Sequence, residues 1–190
     1  MTGSEKQTTT IARVVVLCGS IRARSVNRYL VNAVKDIAGD RFCLSTFPIE
    51  TLPHFNPDQD NDQVCNTVQT FRRQIDEADG VLISTPEYVF SIPGVIKNAI
   101  EWTVSTTVFT DKPVAIITAS TSGKEAHQSL GLVMKTIYAR LTDECRLLIQ
   151  APKSKLDKDG SVTDAGTRRQ LEALVDVFSR EVAAYQTGRR

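Results

Sequence analysis

RVVVLCGSIRARSVNRYL, residues 13–30, changes character twice in a short space. Residues 13–18 are a β-branched run that is apolar at every position after Arg13, which suits a strand covered on both faces. A short loop with one glycine and two arginines follows. From Ser25, a favoured N-cap residue, Val26, Tyr29 and Leu30 recur at helical spacing. A two-faced strand feeding a helix through a short polar loop is the unit from which parallel sheets are built.

The alternation repeats along the chain. GVLIST (80–85) and KPVAIIT (112–118) are again apolar on both faces and belong in the middle of a sheet. FCLSTF (42–47) alternates more and CRLLIQ (145–150) is shorter, so these belong nearer its edges. Helical spacing predicts helices near 25–38, 62–78, 93–105, 124–141 and 164–186. In the last, Leu171, Leu174, Val175, Phe178 and Val182 form the inner face. KLDKDGSVTD (155–164) reads as a hairpin excursion about an Asp-Gly turn. It is not a calcium loop, because Lys155 and Gly166 stand where acidic ligands are required. The sum is a three-layer doubly wound α/β fold around a five-stranded parallel sheet. Such folds bind ligands beyond the carboxyl ends of the strands, at the topological switch point.

The 190 residues suit one domain, expected over 12–187, behind a loose tail of residues 1–11 and with TGRR as a frayed end. Lys and Arg number 23 against 22 Asp and Glu, a net charge of +1 that provides no field for nucleic acid or an anionic membrane. No window is apolar enough to span a bilayer, and the polar N-terminus lacks a signal-peptide core, which predicts a cytoplasmic protein. Cys18, Cys43, Cys65 and Cys145 are widely spaced, fitting reduced thiols rather than a disulfide framework or a metal site.

The expected site begins with Gly19 to Asn27. Free N–H groups and the helix dipole favour an anion there, and the hydroxyls of Ser20 and Ser25, the amide of Asn27 and the guanidinium groups of Arg22 and Arg24 add partners for a phosphate. Ser25 alone is equally well read as a simple cap, and Arg24 as surface. A dinucleotide fingerprint is absent, since Gly19 stands alone and Ser45 and Thr46 occupy the place of the acidic residue; a Walker A loop is absent too. A terminal phosphomonoester suits this loop better than a pyrophosphate.

Two further loops converge on the same edge. Pro86, Glu87, Tyr88, Phe90 and Ser91 supply flat apolar surface and hydrogen-bonding groups of the kind that hold an aromatic heterocycle, with Ser91 capping a helix that carries Pro93 in its first turn. Tyr88 and Phe90 also admit a packing role, Trp102 a place in the core or at a subunit contact, and Glu87 a solvent-facing or interface position. After the fourth strand, Ser120, Thr121, Ser122 and Gly123 offer hydroxyls and close backbone approach. His127 is expected to be exposed or hydrogen-bonded, and no Ser-His-Asp set or paired carboxylates emerge.

GSIRARSVN followed by PEYVFSIPGVIKNAIEW, a serine- and glycine-containing loop after the fourth strand, and a final hairpin and helix resemble the NAD(P)H-dependent FMN reductase family. That flavodoxin-like group includes quinone, chromate and azo-dye reductases, and the resemblance covers residues 13–183. It implies strand order 2-1-3-4-5, with flavodoxin's own FMN site at the β1/β3 switch point as the type example. It further implies FMN as cofactor, with Gly19, Ser20, Arg22, Ser25, Val26 and Asn27 at the phosphate. Pro86, Glu87, Tyr88, Val89 and Ser91 would flank the ribityl chain and ring, and Ser120, Thr121, Ser122 and Gly123 the other ring edge. NADPH or NADH would serve as co-substrate, turnover would be ping-pong to a small-molecule acceptor, and the assembly would be a homodimer or homotetramer. The chain departs from the family at Val89, where Asn is usual, and at Gly123-Lys124-Glu125-Ala126, where a second glycine and an arginine are usual. A flavodoxin-like electron carrier is the rival that the near-zero net charge argues against, and a phosphometabolite-binding protein on the same scaffold is the other.

Overall fold

The computed structural model describes residues 11–189. The tail expected over 1–11 lies outside the described residues, apart from Ile11. Strands β1 (Ala12–Cys18), β2 (Phe42–Phe47), β3 (Gly80–Thr85), β4 (Val114–Ser120) and β5 (Arg146–Gln150) form one parallel sheet in the order β2-β1-β3-β4-β5. This is the expected order. Five helices connect and follow them: α1 (Val26–Ala38), α2 (Asn66–Glu77), α3 (Gly94–Glu101), α4 (Lys124–Thr136) and α5 (Ala165–Gly188).

The strand pleat sorts the core into two layers, because successive side chains leave a strand on opposite faces. Val15, Leu17, Val81, Ile83, Val114 and Ile116 pack on one face with Phe71 and Ile75 of α2, Ile96 and Ile100 of α3, and Leu130 and Met134 of α4. Their neighbours Val14, Val16, Leu82, Ala115 and Ile117 pack on the other with Leu30 and Val34 of α1 and Leu171, Val175 and Phe178 of α5. That double covering is why the central strands read as apolar at every position. β2, at an edge, instead exposes Cys43, Ser45 and Thr46.

The boundaries differ where a local turn or a tertiary contact wins over periodicity. α2 starts at Asn66 rather than near 62, because Asn61 draws the chain into a turn: its side chain accepts from the Gln63 N–H (2.9 Å) and its carbonyl from the Val64 N–H (3.0 Å). α4 stops at Thr136, and two residues on Tyr138 takes a positive φ of 60° that no helix accommodates. α5 runs through Gly188, and Arg189 after it donates to the Asp76 carbonyl at 2.8 Å; Arg190 lies outside the described residues. Trp102 takes the core place, fully buried with its Nε1–H on the Pro53 carbonyl at 2.8 Å. Lys112, expected to open the fourth strand, lies before it and is 1% exposed. Its Nζ donates to the carbonyls of Asp76 (2.9 Å) and Ala78 (2.6 Å) at the end of α2. Burial pushes its pKa down to about 8.

Candidate functional site

A cavity of about 440 Å³ opens where the carboxyl ends of the strands meet the start of α1. That volume falls in the range of small-molecule sites. Ser20, Arg22 and Ser25 line it from the loop after β1 and Val26 and Asn27 from the first turn of α1, Pro86 and Tyr88 from the loop after β3, and Ser120 and Thr121 from the end of β4 and the loop after it. So the structure brings together nine of the residues singled out from sequence.

Local chemistry builds the first wall. Ser25, in extended conformation, caps α1: its Oγ accepts from the Asn27 N–H at 3.2 Å. Asn27 is buried, and its side chain ties three segments together, donating to the Ala119 carbonyl at 3.4 Å and accepting from the Ser84 hydroxyl at 3.2 Å. Gly19 does not line the cavity. Its N–H donates to the Ser84 carbonyl (2.8 Å), and a Cβ there would overlap the Thr85 hydroxyl and press on Ile96. The glycine lets β1 end hard against β3 and α3.

The second and third walls are joined by a residue whose role the sequence left open. Glu87 is neither a free turn carboxylate nor a lining group. One of its carboxylate oxygens accepts from the Gly123 N–H (3.1 Å) and the other from the Ala126 N–H (3.0 Å). Gly123 is the N-cap of α4 and has no side chain to cap with, so Glu87 caps that helix from another loop. Ser122 and Gly123 therefore shape the third wall from behind, Ser122 also accepting from Gln150 Nε2 through its carbonyl at 3.1 Å.

Ser91 corrects an expectation. It does not cap α3, whose N-cap is Pro93. Ser91 closes a two-residue hairpin with Tyr88 instead, each N–H donating to the other's carbonyl (2.9 and 3.0 Å). The residues between them, Val89 and Phe90, both take positive φ, 51° and 55°. Such a turn calls for Asn-Gly, and a β-branched residue there is strained. Both side chains project into solvent, Val89 94% and Phe90 76% exposed, and neither enters the cavity or the core.

Sequence reasoning passed over one part of the lining. Arg24, which it left between a phosphate partner and surface, lines the cavity, and an unforeseen fourth wall comes from Ala151, Pro152, Lys153 and Ser154 directly after β5. The signal was available: this segment lies at the carboxyl end of a strand in a doubly wound fold. Electrostatically the result is one-sided. Arg22, Arg24 and Lys153 line the cavity and no Asp or Glu does. His127 lies outside it, Nδ1 at 2.9 Å from the Thr118 hydroxyl, and burial, reinforced by the Arg146 charge, lowers its pKa and keeps it neutral. The arrangement suits a ligand with an anionic end and a flat body. Neither a histidine nor a carboxylate is in the lining.

Comparison with known proteins agrees. Residues 12–145 match the model of the NADPH-dependent FMN reductase family. The chain is 33% identical over 173 residues to a 2-hydroxy-1,4-benzoquinone reductase of Burkholderia sp, covering 88% of this chain and 94% of that protein. It is also 33% identical over 175 residues to an NAD(P)H:quinone oxidoreductase of Solanum tuberosum, covering 87% and 90%. Among solved structures it is similar to the flavoenzyme NAD(P)H:(acceptor) oxidoreductase FerB of Paracoccus denitrificans, with a TM-score of 0.82, 30% identity, and 92% and 99% of the two chains covered. By fold, by the chemistry of its cavity and by these likenesses, the chain belongs to the NADPH-dependent FMN reductase family, whose cofactor is FMN and whose co-substrate is NAD(P)H.

Proposed function

We propose that this protein is an FMN-dependent NAD(P)H:acceptor oxidoreductase of the quinone reductase type, with its cofactor in the cavity described above. The observation that carries the reading is the lining of the cavity: two arginines and a lysine with no carboxylate, beside the first turn of α1. A phosphomonoester carries about −1.5 to −2 charges at neutral pH and accepts several hydrogen bonds, so the donors fit it. Ser20, Arg22, Ser25, Val26 and Asn27 would hold the phosphate end. Pro86, Tyr88, Ser120 and Thr121 would flank the rest of the cofactor. Gly19, Glu87, Val89, Ser91, Ser122 and Gly123 would act through backbone groups and by fixing the loops.

Bound there, FMN would supply the redox chemistry between NADPH or NADH and an acceptor such as a quinone, azo compound, chromate or free flavin. The chain's own groups bind, orient and shape the opening. Donor and acceptor sharing one opening would have to enter in turn, which gives ping-pong kinetics with parallel double-reciprocal lines. The exposed tip at Val89 and Phe90 supports a homodimer or homotetramer in which a second copy covers it. Four free cysteines support a reducing, cytoplasmic setting, and no helix among the described residues is long and apolar enough to cross a membrane.

The test is the visible spectrum of the purified protein before and after anaerobic NADPH. A flavin band that bleaches on addition is expected. A colourless protein that takes up no added FMN overturns the reading.

A further inference from the structure

Between β5 and α5 the chain makes an excursion over residues 151–164 that adds no strand to the sheet. Its first residues form the fourth wall of the cavity, and Lys153 is the cation they bring to it. Arg22 and Arg24 come from the loop before α1. Among the described residues, none of the three is in an ion pair. Unpaired cations gathered on a cavity without a carboxylate are poised for a ligand's negative charge.

The backbone beneath Lys153 is held at both ends. Ala151 takes a left-handed conformation, φ 47°, while its N–H donates to the Ser120 carbonyl at 3.1 Å, so the segment is bonded to the third wall. Ser154 turns back on it, donating to the Ala151 carbonyl from its N–H (3.2 Å) and its hydroxyl (2.9 Å), and Pro152 is buried. At the far end Leu156 pairs with Val162 across a turn. Gly160, φ 88°, lies on the ring of Tyr29 so closely that a Cβ would overlap it. Tyr29 stands on α1, one turn beyond its cap Ser25. The excursion thus spans the cavity's two polar walls and rests on the helix that presents the phosphate loop.

We propose that residues 151–164 are a strap that holds Lys153 as a third cation on the phosphate of the bound mononucleotide, and that this strap sets the preference for the phosphorylated over the unphosphorylated flavin. The inference rests on the FMN reading above. An ammonium on a flexible stem contributes a point charge that follows the ligand, complementing the planar forks of the arginines. Its attraction is electrostatic and therefore fades as salt rises.

The experiment titrates the flavin-free full-length chain with FMN and with riboflavin, following flavin fluorescence at low and high salt. Lys153→Ala is expected to weaken FMN binding about tenfold at low salt, as loss of one charge-assisted contact does, and to leave riboflavin binding unchanged. Lys153→Arg should restore most of the FMN affinity. Gly160→Ala, which pushes the strap off Tyr29, should weaken FMN binding in the same direction and spare riboflavin. Lys153→Ala that binds FMN like the wild type, or that loses FMN and riboflavin equally, overturns the strap's role. A wild-type chain that binds neither flavin overturns the FMN reading itself, an outcome distinct from both.

Discussion

α1 and α4 both begin at the carboxyl rim of the sheet, each after a short loop of serine and glycine; the start of α1 lines the cavity, whereas that of α4 lies behind its wall. They are finished differently. α1 is capped by its own Ser25 and faces Arg22 and Arg24. α4 has a glycine cap and receives the carboxylate of Glu87 from the loop after β3. One end therefore stays electropositive, and the other is neutralised by the protein itself. At the opposite edge α2 is closed in the complementary sense: the buried ammonium of Lys112 sits on its last carbonyls. The comparison teaches that a helix end at the rim stays open to a ligand's charge only where no protein charge has already filled it.

The comparison breaks most sharply at its closed ends. Lys112→Ala should cost about 3 kcal/mol of unfolding free energy, since it strands the buried Ala78 carbonyl, leaves the Asp76 carbonyl to Arg189 alone and empties the space of the side chain. Folding lowers the pKa of Lys112 from its ordinary 10.5 to about 8, so between those values the unfolded chain holds a proton that the folded one has released. Its contribution to stability thus rises with pH across that window and is flat below it. Urea melts from pH 7 to 10 should show that rise in the wild type relative to Lys112→Ala; parallel curves would sink the assignment. Glu87→Ala should cost about 2 kcal/mol, the sum expected for a lost cap with charge-assisted bonds, and should loosen flavin retention because two cavity walls come apart. Glu87→Ala with wild-type stability would mean α4 needs no partner there.

The open end is tested more gently. Arg22→Ala should lower FMN affinity about tenfold at low salt while moving the urea midpoint little, because the side chain is exposed and is in no ion pair among the described residues. A drop in stability equal to that of Glu87→Ala would erase the distinction between the two ends. Smallest is the hairpin tip. Replacing Val89-Phe90 by Asn-Gly should raise stability by about 1 kcal/mol, since those residues accept positive φ without strain, and should weaken self-association measured by light scattering. A tip variant that is less stable would show that Val89 and Phe90 make contacts within one chain.

Much of this molecule is legible without coordinates. The two-faced runs at 13–18 and 80–85 announced central parallel strands, and Phe42–Phe47 and Gly80–Thr85 have the bounds read from pattern alone. Ser25 declared itself as a cap because capping is decided within three residues. Ser91 misled for the complementary reason: a serine before a helix is an equally good hairpin residue, and pairing with Tyr88 decided the matter. Glu87 was illegible, since its partners, Gly123 and Ala126, lie 36 and 39 residues away. Lys153 looks like a surface cation until four strand ends place it with Arg22 and Arg24 around one cavity.

By itself the sequence determined the alternation of strands and helices, the two-sided core and the capped polar loop after the first strand. These depend on periodicity and on side chains acting on neighbouring backbone. The tertiary structure decided which helix end remains electropositive, which loops share a wall and which cations face one cavity. Charge and capping are satisfied by whatever group arrives in space, and nothing in the local sequence records that arrival.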